Sequence, residues 1–190
     1  MTKTDKSTGA GAASFNEVLD YWNSIGKDGW FNRDDEIDRI IRERFLTTHE
    51  LAASGALDSW QERPDSCLAL ILVLDQFSRN MFRNDPRAFA TDANALSIAE
   101  NAVENGFHLE VEGDLAQFFF MPFMHSESMD AQNRCVELMH CFCARENFDY
   151  AIIHRDVIAR FGRFPHRNPA LKRNTTHAEQ AFLDAGGFSA

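Results

Sequence analysis

Cys67-Leu68-Ala69-Leu70-Ile71-Leu72-Val73-Leu74-Asp75-Gln76-Phe77-Ser78-Arg79-Asn80-Met81-Phe82-Arg83 is the stretch on which the fold turns. Eight apolar residues run straight into a charged segment. At ~100° per residue, Asp75 and Arg79 share a helical stripe with Leu68 and Leu72. A helix that is apolar all round is buried, so these charges enter the interior instead of facing water. Buried charges are costly unless paired, which makes this segment either a structural ion pair or a site.

Outward from this helix, every neighbour reads as another helix. Ser14-Phe15-Asn16-Glu17 matches a capping box, and Phe15, Val18, Leu19 and Trp22 form one apolar face. Gly26 and Gly29 break the chain before Trp30. A second helix begins near the acids Asp34, Asp35 and Glu36 and stops at Gly55. Pro64 suits the first turn of the central helix. Further helices are expected through Ala93–Val103, from about Asp130 to Glu146, and from Asp149 to Phe161 with Gly162 as its cap. Pro122 interrupts the aromatic segment around Phe118, Phe119 and Phe120. Thr176-His177-Ala178-Glu179 is a second capping box.

The expected fold class is therefore all-α, with antiparallel helices joined by short turns. The helices are too many for one four-helix core, so stacked hairpins are expected. The 34-residue tetratricopeptide pattern leaves no fixed-period recurrence in the sequence. A chain of 190 residues suits one domain, taken as 14–190 behind a disordered tail, 1–13, that lacks the apolar centre of a signal peptide.

The net charge of −10 argues against general nucleic-acid binding, which needs a cationic face. No apolar run reaches the ~20 residues needed to span a membrane. The four cysteines lack disulfide spacing, so a cytoplasmic location with reduced thiols is the simplest expectation.

Three polar segments carry candidate chemistry. The first is Asp75, Gln76, Arg79, Asn80 and Arg83, whose Asp75–Arg79 spacing equally suits a structural i,i+4 pair. The second is His125-Ser126-Glu127, where His125 is a candidate general base and Glu127 its partner or a helix cap. Ser126 lacks a nucleophile-elbow context. The third, His154–Arg173, sets six cations against Asp156 alone, a local +5 that leaves −15 for the rest. His154, Arg155, Arg160, Arg163, His166 and Arg167 suit an anionic ligand, arginine being the natural bidentate partner. Ion pairs with the acidic helices explain the same residues structurally. No HExxH, paired CxxC or ExxH repeat is present, so neither a metal nor another cofactor is implied.

Leu74–Asn80, Ala88-Phe89-Ala90-Thr91-Asp92, Met121–Glu127, His154-Arg155-Asp156 and Ala159–Asn168 together resemble the bacterial family catalogued as domain of unknown function 924. The likeness spans about Phe15 to Phe188. It implies a tetratricopeptide-like array of helical hairpins and no particular reaction. The sequence departs from the family motif at Ser78, where proline usually stands between the phenylalanine and the arginine.

The functional expectation is a pocket for a small anionic metabolite, with His125 or His154 as acid/base if the protein is an enzyme. The alternative is an adaptor that holds a peptide or partner protein in a helical groove. A third reading is a purely structural lattice of ion pairs.

Overall fold

The computed structural model describes residues 11–187, and the described residues form helices and turns without strands. The expected tail lies mostly outside them. Ala13, its last residue, is tied in place, donating its N–H to Thr48 Oγ1 at 2.9 Å.

The α-helices are α1 (Phe15–Phe31), α2 (Asp35–Ala53), α3 (Pro64–Ile71), α4 (Ser78–Met81), α5 (Asp92–Glu104), α6 (Met121–His125), α7 (Met129–Phe142), α8 (Arg145–Phe161) and α9 (His177–Asp184). Both capping boxes form, at Ser14 and Thr176. Gly26 kinks α1 with φ 62° and ψ −174°, a combination that needs glycine. Gly29, also expected to break the chain, lies inside the resumed helix.

The aromatic segment breaks beside Pro122: its 3₁₀ helix ends at Phe119, and Pro122 sits in the first turn of α6, where its missing N–H costs nothing. One expectation is corrected. The break between α7 and α8 falls at Cys143-Ala144, ahead of the expected 146–149, and carries neither glycine nor proline to announce it. The cysteines near this break differ in exposure: Cys135 is buried, Cys143 half-buried and Cys141 exposed.

The Cys67–Arg83 stretch lies at the centre. α1 packs on α3, α2 on the segment that follows it, and α5 closes the opposite side. This enclosure explains why the stretch is apolar all round. Every residue from Cys67 to Leu74 is buried, and Phe77 meets Phe45 at 4.9 Å and Trp22 at 5.6 Å between ring centroids. Burying one such side chain contributes about 1.5–3 kcal/mol.

The stretch is not one regular α-helix. Leu72–Phe77 is π-helical, its hydrogen bonds spanning one residue more than in an α-helix. Side chains satisfy the carbonyls in this loosened ladder. Thr91 Oγ1 donates to Leu74 O at 2.5 Å, and Ser78 Oγ reaches the carbonyls of Leu74 and Asp75 at 2.9 Å each. Arg79 Nη1 takes Asp75 O at 2.6 Å. Ser78 thus contributes a hydroxyl to the widened turn.

Candidate functional site

Asp75 lies within the π-helical segment and is fully buried. Its carboxylate accepts from Gln76 Nε2 at 2.5 Å and faces Arg79 Nη1 at 3.0 Å. His125, fifty residues away at the end of α6, places Nδ1 at 2.8 and 2.9 Å from the two carboxylate oxygens. A carboxylate only accepts, so Nδ1 carries the proton and Nε2 the lone pair. Nε2 makes no hydrogen bond among the described residues.

The ring is held from behind. Gln132 of α7 donates Nε2 to the carbonyls of Met124 and Ser126, both at 2.7 Å, and so satisfies the open C-terminal end of α6.

Asp92, the first residue of α5, joins a second arginine to this pair. Arg79 Nη2 donates to Asp92 Oδ2 at 3.0 Å, and Arg167 Nη1 donates to the same oxygen at 3.1 Å. Arg167, in the 3₁₀ turn Pro165–Arg167, also donates Nη2 to the His125 carbonyl at 2.9 Å. Its guanidinium lies 4.6 Å from the ring centres of both Phe89 and Phe164, a double cation–π clamp. Two atoms are left short of partners. Arg167 Nε has no hydrogen bond, and Asp92 Oδ1, although 3.0 Å from Arg79 Nη1, lies off its N–H direction.

The electrostatics follow from burial and like charge. Burial alone would raise the Asp75 carboxyl, but Arg79 and His125 hold it below the ordinary range. Burial and then Arg79 lower His125, so at neutral pH an ionised Asp75 faces a neutral imidazole. Burial, reinforced by the neighbouring Arg79, brings Arg167 down to about 10, still charged at pH 7.

His154 and His166 stand within the field of the same group. Burial takes His154 down to about 3, with His125, His166 and Arg167 adding to it against the opposing Tyr150 carbonyl. Burial and Arg167 take His166 to about 4.

Of the residues named from sequence, Asp75, Gln76, Arg79, His125 and Arg167 meet directly, and His154 and His166 lie beside them. Glu127 belongs to an adjoining knot. It accepts from the Phe164 N–H at 2.8 Å and from Arg173 at 2.8 and 3.1 Å. It therefore neither partners His125 nor caps a helix.

The other candidates go elsewhere. Asn80 Nδ2 binds Asp38 of α2 at 2.8 Å, as does Arg83 Nη2. Arg155 pairs with its neighbour Asp156. Arg160 is exposed and lies over Phe161 and Phe182. Arg163 is held by Glu179 at 2.6 and 2.9 Å, a pair that fastens α9 to the end of α8.

Two side chains of these polar networks escaped the sequence reading. Asp92 looks like an ordinary acid in a helix's first turn, although it sits in the Ala88–Asp92 motif. Arg173 was counted in the basic block and not singled out. Only their tertiary partners distinguish them.

Two open cavities lie away from this cluster, one beside α2 and one between α5 and α7. The cluster instead reaches solvent at a rim, where the Arg79, Asp92 and His125 side chains are 20, 18 and 14 % exposed. Among the described residues no group of three His, Cys, Asp or Glu side chains is arranged to hold a metal ion.

A family model described as "Bacterial protein of unknown function (DUF924)" matches residues 18–187. The chain belongs to this family. A solved protein of unknown function from Agrobacterium tumefaciens is similar at 41 % identity, covering 90 % of this chain and 97 % of that one, with a TM-score of 0.87. No functionally curated protein matches the chain. No helix among the described residues is long and apolar enough to cross a membrane.

Proposed function

We propose that this protein is a cytoplasmic binder of a small anionic ligand, held at the rim where Arg79 and Arg167 converge, with His125 positioned to exchange a proton with it. The observation that carries this reading is the shared grip of two guanidiniums on one carboxylate oxygen of Asp92. Two adjacent like charges are favourable only around an anion. A carboxylate or phosphate on a ligand competes with Asp92 for the same donors.

The charge balance sharpens the idea. Asp75 and Asp92 neutralise Arg79 and Arg167, so a ligand gains most by displacing Asp92, the more exposed acid. Asp75, fully buried behind them, stays to fix the tautomer of His125. The Asp–His arrangement with a free Nε2 suits general acid/base work in hydrolysis or group transfer.

Thermal-shift measurements with inorganic phosphate, pyrophosphate and succinate test this. A ligand at a hundred times its Kd stabilises the fold by about 2.7 kcal/mol, which is roughly 5–11 °C for a domain of this size. Arg79→Met abolishes the shift. If no anion raises the melting temperature of the wild type by more than it raises that of the variant, the binding idea fails.

The adaptor reading draws on the tetratricopeptide-like arrangement that the resemblance implies, and on exposed Tyr150 and Ile153, one turn apart on α8. A stoichiometric protein partner lost on Tyr150→Ser but kept on Arg79→Met would favour it.

A further inference from the structure

Outside the Asp75–His125 cluster, an open cavity of about 440 Å³ runs along one face of α2. Arg42, Leu46, His49 and Ala53 recur at helical spacing on that face, and Phe82 and Arg87 close it from the other side. The volume is within the range of small-molecule sites, about 300–1,000 Å³.

Phe82 is the centre of the construction. Arg42 and Arg87 set their guanidinium carbons 5.6 and 4.5 Å from its ring centre, and His49 meets it edge-on at 5.4 Å. Arg87 is held by Asp85, with two contacts of 2.9 Å. Arg42 is different. It donates Nη1 to the Met81 carbonyl at 2.6 Å, which fixes its position, and it pairs with no carboxylate among the described residues. A cation anchored on a carbonyl, within the field of Asp85 but not bonded to it, thus stands beside a largely apolar cavity.

His49 adds an independent mark. It is only 6 % exposed, and both ring nitrogens lack a hydrogen-bond partner. A buried imidazole with neither nitrogen satisfied is costly, and a small rearrangement that lets a ligand reach it recovers that cost.

We propose that this cavity binds a small apolar carboxylate, with its carboxylate on Arg42 and Arg87 and its hydrocarbon body on Leu46, Ala53 and Phe82. Glu50, at the far end of the same face, sets the polarity: it repels a second anionic group and confines the carboxylate to the Arg42 end. A dianion or a long charged metabolite fits poorly. The cations also disfavour a purely neutral ligand, because they gain nothing from it.

The probe is 3-phenylpropionate, titrated into the full chain by calorimetry, with 3-phenyl-1-propanol as its neutral counterpart. The expected result is saturable binding of the acid, at least tenfold weaker binding of the alcohol, and a tenfold or greater loss on Arg42→Gln. Arg42 is exposed, so that variant keeps the fold. Arg79→Met leaves this affinity unchanged, which separates the cavity from the rim site. The His49 ring protons, assigned by comparison with His49→Gln, shift in step with the acid. Equal affinity for acid and alcohol, an unchanged affinity in Arg42→Gln, or no saturable binding each overturns the proposal.

Discussion

Replacing Asp75 by asparagine removes one charge from the centre of the molecule and almost no volume. In the native chain that carboxylate is fully buried, faces Arg79 at 3.0 Å and accepts from His125 and Gln76. Breaking a buried pair by removing one partner costs about 3–5 kcal/mol. Arg79 keeps Asp92 and the Asp75 carbonyl, and an asparagine oxygen still accepts from His125, so the lower end applies. A loss of about 3 kcal/mol is expected, or some 6–12 °C in melting temperature for a chain of this length. Urea unfolding followed by circular dichroism at pH 7 measures it directly.

The pH dependence gives a second handle on the same variant. Because the folded-state pKa of Asp75 is depressed, its stabilisation is complete above the unfolded carboxylate value near ~4 and is lost as pH falls toward the folded value. The gap between wild type and Asp75→Asn therefore stays constant from pH 7 to pH 5 and narrows below about pH 4. A loss under 1 kcal/mol, or a gap that widens in acid, would refute the claim that Asp75 is ionised and paired.

The histidines give a further prediction. His154 and His166 are held neutral, at about 3 and about 4, so unfolding takes up protons as pH falls below the ordinary histidine value. Stability is complete above about pH 6.5 and declines toward pH 4, by at most roughly 3 kcal/mol per pH unit for the two together. Unfolding free energies across that range, compared with His154→Gln/His166→Gln, check the slope, and an equally steep double variant contradicts it. Arg163→Gln leaves Glu179 without its ion pair and lowers the melting temperature, with no change in the response to anions. Loss of the anion response would place Arg163 at the ligand, contrary to its position at α9. Glu127→Gln loosens the Arg173–Phe164 knot and lowers the melting temperature by a few degrees, measured by scanning calorimetry.

The central helix was legible because eight apolar residues without a polar face leave only burial as an outcome, and Asp75 and Arg79 followed from it. His125 was legible from its position after Pro122, though its partner was not. Glu127 is its near neighbour in sequence, but the ring turns to Asp75, fifty residues upstream. The basic block was the weakest guide. Composition gathers Arg155, Arg160, Arg163 and Arg167 into one segment, yet α8 carries only Arg155 and Arg160, Arg163 and Arg167 lie beyond its end, and only Arg167 reaches the cluster. The widened turn at Leu72–Phe77 has no glycine or proline to mark it. Its supports, Ser78 and Thr91, are hydroxyls whose role depends on a carbonyl on the facing element. Asp92 is hidden for the same reason: one acid at a helix start means little until two arginines meet on it.

The most direct test of the anion site is a calorimetric titration of pyrophosphate into the wild type and into Asp92→Asn. Asparagine at 92 removes the internal competitor and leaves Arg79 and Arg167 in excess by one charge over Asp75. The account predicts saturable binding to the wild type and binding about tenfold tighter to the variant, consistent with a charge-assisted hydrogen bond regained. Binding weaker in Asp92→Asn than in the wild type, or no saturable heat with either protein, would contradict it.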